Sequence, residues 1–163
     1  MRLRGWILAM AAAAALAAPG IGVARAADDA GAGWAVVVGP NVAATGLTFG
    51  ELRHLFLGER KYWTPGSPVT LVLPAAGTPE RAAVLKRIYE MTEPRYKQYW
   101  VARVFRDEST TKPKVVSTAE AACKLVAKTP GALTVVSAAR VCEGAKVLKL
   151  DGKLAGEEGY ALQ

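Results

Sequence analysis

The chain has 163 residues, 52% of them hydrophobic and 21% charged, with a formal net charge of +7. That length suits one domain, and the balance excludes a disordered acidic tail, a collagen-like repeat and a low-complexity chain. No run of like charges marks a nucleic-acid tail.

Part of the positive excess sits at the start. Arg2 and Arg4 precede an apolar, alanine-rich stretch from Trp6 to Ala18, and Ala24-Arg25-Ala26 follows. A basic start, an apolar stretch and an A-x-A site predict a cleavable signal peptide over residues 1–26. Pro19, Gly20 and Gly22 interrupt the run that an uncleaved anchor would need. Residues 27–163 are then the mature, periplasmic domain, with 18 basic against 14 acidic residues. So small an excess suits an anionic small ligand or an ordinary soluble surface and argues for no nucleic acid. No second apolar run of membrane length follows, so no stable membrane span is expected after cleavage.

After a small-residue leader, Trp34 to Val38 is short, apolar and β-branched, which predicts a buried strand. Thr48-x-x-Glu51 is a capping box with Leu52, Leu55 and Phe56 at helical spacing behind it, and Gly58 ends that helix. Glu59 to Pro68, with Pro65, Gly66 and Pro68, is expected to be a loop, and Val69 to Leu73 a second strand. Two helices follow, one from Pro79 to about Met91 capped by Thr78, the other from Pro94 to about Phe105 with Thr92 as a cap. Asp107 to Val116 is expected to be a polar loop. Ser117-x-x-Glu120 is a second capping box, opening a helix to about Lys128 with Ala119, Ala122, Cys123 and Val126 on one face. Strands are predicted at Ala132–Val136 and Lys146–Leu150. Strands alternating with helices argue an α/β fold whose mixed, mostly parallel sheet is covered on both faces.

An exported chain with Cys123 and Cys142 meets an oxidising compartment, which favours a disulfide over free thiols. In the chain-entropy model a loop of this size contributes roughly 3 kcal/mol. A metal pair is disfavoured, because there is no C-x-x-C and His54 is the only histidine.

Ligands of open α/β sheets sit outside strand carboxyl ends, beside helix N-termini. Val69–Leu73, then Pro74 to Thr78, then a helix make such a junction: Gly77 admits close backbone approach, and the Thr78 hydroxyl with the first-turn N–H groups can hold an oxyanion. Arg81 falls near the middle of the apolar arc of Val84, Leu85, Ile88 and Met91, where an unpaired guanidinium is costly. It reaches either an anion at the strand ends or an internal carboxylate. His54 suits a surface or packing role. Tyr96, Tyr99 and Trp100 suit core packing, Lys112 and Lys114 solvation, and Ser109 to Thr111 is a weak anion candidate. No G-x-S-x-G, H-E-x-x-H or Walker loop is present and no carboxylate pair can be assigned, so neither an enzyme nor a cofactor is expected.

Three segments resemble the phosphate-type substrate-binding proteins of ABC transporters: Val36 to Asn41, Leu47-Thr48-Phe49-Gly50-Glu51-Leu52-Arg53-His54-Leu55-Phe56-Leu57-Gly58, and Tyr62 to Ser67. They follow that family's order of a strand, L-[ST]-x-x-[EQ]-L-x-x-[IL]-F-x-G and W-x-x-G. Pro74 to Arg81 stands where the family carries S-G-T-x-x-x-F, and Thr129 to Leu133 resembles its P-G-A-I-G-Y segment. The serine of S-G-T is Ala76 here, and G-Y is Thr134-Val135. The family's amino-terminal serine-rich loop has no counterpart, since only Ala27 to Gly33 separates the expected cleavage site from the first strand. The resemblance implies a short, single-lobe α/β/α periplasmic-binding-protein-like domain over 27–163. It also implies non-covalent binding of a small oxyanion, phosphate by default, at Gly77 and Thr78, with a transporter or envelope protein as partner; the wheel position, and short relatives that often place arginine there, add Arg81 to that site. The alternative is a protein-interaction or sensory module of the envelope built on a truncated binding-protein fold.

Overall fold

The computed structural model describes residues 33–106 and 112–163. The expected signal peptide and the Ser109–Thr111 candidate lie outside them.

Trp34–Val38 (β1) buries Val36 and Val38 on one face of the sheet and Ala35 and Val37 on the other, as its unbroken apolar run predicts. Gly46–Leu47 (β2) leads into Phe49–Phe56 (α1). The capping box forms in both directions: Glu51 N donates to Thr48 Oγ1 at 3.2 Å and Thr48 N to Glu51 Oε2 at 2.9 Å. Leu52, Leu55 and Phe56 face the core, and Gly58 follows the helix at φ +70°.

The expected loop Glu59–Pro68 holds a small hairpin, Tyr62–Thr64 (β3) and Ser67–Pro68 (β4). Pro65 and Gly66 form only its turn, with Gly66 at φ +83°, where a type II turn wants glycine. Trp63 is buried beneath it and donates its indole N–H to the Gly131 carbonyl at 2.9 Å.

Thr70–Pro74 (β5) precedes Pro79–Val84 (α2), which continues as a π-helical turn over Leu85–Tyr89. Glu90 adopts the left-handed conformation at φ 53°, so this helix stops short of the expected Met91. Glu93–Phe105 (α3) follows, and its Thr92 cap makes no side-chain hydrogen bond.

The polar segment before Ser117 contributes a strand, Lys114–Val116 (β6), paired parallel to β5 from Val72↔Lys114 to Pro74↔Val116. Ala119–Lys128 (α4) is capped by Thr118 rather than Ser117: Ala121 N donates to Thr118 Oγ1 at 3.1 Å. Ala132–Ser137 (β7) is wholly buried. The expected strand 146–150 is two, Lys146–Val147 (β8) and Lys149–Leu150 (β9), divided at the buried Leu148 because β8 pairs with β1 and β9 with β2.

The central sheet has the order β6-β5-β7-β1-β8. β5 runs parallel to β6 and β7, while β1 is antiparallel to both β7 and β8, so β1 alone opposes the common direction. One face carries Val36, Leu71, Leu73 and Val135 under α1, α2, the π turn and α3. The other carries Val37, Val72 and Val136 under α4. The architecture is therefore three α/β/α layers. A disulfide joins Cys123 of α4 to Cys142, with Cα atoms 5.9 Å apart. Among the described residues no helix is long and apolar enough to cross a membrane.

Candidate functional site

Where helices leave adjacent parallel strands toward opposite faces, a crevice opens outside the strands' carboxyl ends. β5 and β6 are such a pair, because α2 packs on one face of the sheet and α4 on the other. A cavity of about 640 Å³ lies there. Three stretches line it: Thr78 to Glu80 after β5, Thr118 to Glu120 with Lys124 after β6, and Arg140 to Cys142 after β7.

Each wall is held by local chemistry. Thr78 Oγ1 accepts from Arg81 N at 3.2 Å and donates to Ala75 O at 2.9 Å, which fixes the turn entering α2. Thr118 caps α4, whose first-turn N–H groups have no intrahelical partner. The disulfide ties the third wall to α4, and Cys142 N also lies 3.1 Å from Cys123 Sγ.

Both charge signs meet at the cavity. Lys124 pairs with Glu120 one turn away, and that hydrogen bond holds the Glu120 carboxyl below its ordinary range. Arg140 brings a second cation to the wall. Glu80 is 3% exposed and lines the cavity. Among the described residues its carboxylate has no hydrogen bond or ion pair.

Arg81 is not part of this lining. Its side chain, 5% exposed, donates through Nε to Glu93 Oε2 at 3.1 Å and through Nη2 to Glu93 Oε1 at 3.0 Å. Its guanidinium carbon lies 4.0 Å from the centre of the Tyr96 ring. Burial opposes the charge, but the Glu93 hydrogen bonds and the neighbouring Tyr96 and Glu93 charges outweigh it and raise the pKa above its ordinary value.

A phosphate ABC transporter substrate-binding protein from Clostridium perfringens, solved with bound phosphate, superposes with a TM-score of 0.60 at 18% identity over 76% of this chain and 46% of that one. The fold is that of phosphate-type substrate-binding proteins. An ABC-type phosphate transport receptor from Vibrio cholerae matches with a TM-score of 0.57 at 17% identity, covering 73% of this chain and 46% of the receptor. PstS from Borrelia burgdorferi also gives 0.57, at 12% identity over 74% and 48%. The chain thus spans about half the length of these phosphate-type proteins. No protein-family model and no curated protein matches the sequence.

Within this phosphate-type fold the structure places Thr78 at the crevice and Gly77 just before it. Gly77 has φ +91°, with nothing within 4 Å of where a Cβ would stand. Arg81 takes the internal ion pair that the sequence left open. His54 pairs with Glu59 on the surface, and Tyr96 and Trp100 pack in the core. Among the described residues no group of three His, Cys, Asp or Glu side chains could hold a metal ion. Sequence reasoning missed Glu80, Thr118, Lys124 and Arg140 as wall residues. Recognising β6 as a strand would have exposed Thr118, since its helix start then follows a strand end.

Proposed function

We propose that the protein is an exported solute-binding-type protein that takes a small oxyanion, phosphate by default, non-covalently in the crevice beyond β5, β6 and β7. One observation carries this: the segments leaving three parallel strand ends meet at one cavity, where capped helix starts lie beside Arg140 and Lys124. Helix N-termini and cations are the groups that recognise phosphate oxygens. Gly77 and Thr78 form the β5 side of the site. Arg81 acts as a positioning residue, bracing the start of α2 against α3 through Glu93. The fold of the phosphate-type proteins supports the ligand class. Calorimetric titration of the mature, disulfide-bonded protein with phosphate and with sulfate tests it: saturable binding supports the proposal, and no heat with either anion overturns it.

A second reading has one observation in its favour. Val101, Val104 and Phe105 lie at i, i+3 and i+4 on α3, all exposed, with Phe105 85% exposed. An apolar face of this kind suits an envelope protein partner. Co-purification of a partner lost on Phe105→Ser, together with silent anion titrations, would favour it.

A further inference from the structure

Glu80 sets a condition on what the crevice accepts. It is 3% exposed, lines the cavity, and makes no hydrogen bond or ion pair with another described residue. A carboxylate that opens onto the cavity without a protein partner repels a ligand that brings negative charge alone. Lys124 does not answer it, because that ammonium pairs with Glu120. The cavity is also roomy: about 640 Å³ falls in the range of sites for organic ligands, well beyond a single tetrahedral ion. The first turn of α4 and Arg140 line the same cavity, and these are groups for an anion.

We propose that the crevice is built for a zwitterion, a small organic molecule carrying an oxyanion at one end and an ammonium at the other. The oxyanion lies against the Thr118 start of α4 and Arg140. The ammonium donates to Glu80 and supplies the partner that the protein does not. This rests on the crevice reading above and narrows its ligand class from any small oxyanion to an amino-bearing one.

The test is a calorimetric comparison on the mature, disulfide-bonded protein with three probes: inorganic phosphate, ethylphosphonate and 2-aminoethylphosphonate. The last two differ only by the ammonium. Wild type is expected to bind 2-aminoethylphosphonate at least about tenfold tighter than ethylphosphonate, the size of one charge-assisted contact. Glu80→Gln, checked for folding by its thermal melt, is expected to erase that difference, with ethylphosphonate bound at least as tightly as by wild type. The wild-type comparison stands alone if the variant does not fold. Equal affinities for the two phosphonates overturn the zwitterion proposal and leave the oxyanion site standing. Absence of binding by all three overturns both.

Discussion

Arg81 and Glu93 form a two-pronged ion pair, at 3.0 and 3.1 Å, that staples the first turn of α2 to the first turn of α3. Tyr96, one turn along α3, supplies the ring face beneath the guanidinium. The pair resolves the physical conflict of a cation on an apolar arc: the buried charge is matched by a carboxylate in two-pronged geometry. Because Thr78 caps the same turn, the staple also sets where the β5 wall of the crevice stands.

Breaking that staple should therefore act on stability first. Glu93→Gln and Arg81→Ala are each expected to cost roughly 1.5–3 kcal/mol, the range for hydrogen bonds to charged groups. Urea unfolding midpoints check the loss, and any fall in phosphate affinity should accompany the lowered midpoint in the same variants. A large drop in affinity with an unchanged midpoint would place the guanidinium on the ligand instead.

The capping box at α1 predicts a pH dependence. Hydrogen bonds from the backbone and side chain of Thr48 hold the Glu51 carboxyl below its ordinary value of 4.5. A depressed carboxylate stabilises the fold at pH values above 4.5, and that contribution fades as pH falls through the lower folded value. Wild type should therefore melt higher than Glu51→Gln at pH 7, with the gap narrowing below pH 4.5. A gap that widens in acid contradicts the assignment.

Helix α1 was legible because its rules are local: Thr48, Glu51, Leu52, Leu55 and Gly58 declare a start, a face and a stop within one short stretch. The internal ion pair of Arg81 was legible as one of two outcomes, since a helical wheel shows burial but not the partner. β6 was not legible. Lys114–Val116 is too short to carry a pattern and becomes a strand through pairing with β5. With β6 hidden, Thr118 looked like a neighbour of the Ser117 cap, and the crevice lost one wall. Arg140 carries no signal at all until the end of β7 is seen beside α4. The split between β8 and β9 likewise depends on two different pairing partners.

Gly131 is the tightest backbone approach in the hairpin region. At φ +70°, a Cβ there would lie 2.3 Å from the Pro68 carbonyl oxygen. Its own carbonyl accepts the Trp63 indole. Gly131→Ala is expected to cost about 3 kcal/mol or more through strain and displacement of the hairpin. A thermal melt within a degree or two of wild type would contradict that placement.

Reduction of the Cys123–Cys142 disulfide releases the third crevice wall from α4. The chain-entropy cost is roughly 3 kcal/mol for a loop of this length. Melting temperature should fall on treatment with a phosphine reductant and remain unchanged by it in the Cys123→Ala/Cys142→Ala double variant. Two thiols labelled in the unfolded, unreduced protein would contradict the bond.

We propose that an oxyanion settles where three strand ends meet. An amide NMR titration of residues 27–163, disulfide-bonded, with inorganic phosphate tests this. Saturable shifts are predicted for the amides of Gly77, Thr78, Ala119 and Glu120, with the far-side amides of α1 and β9 unmoved. Phosphate that shifts none of the crevice amides, or shifts only residues away from them, would contradict the account.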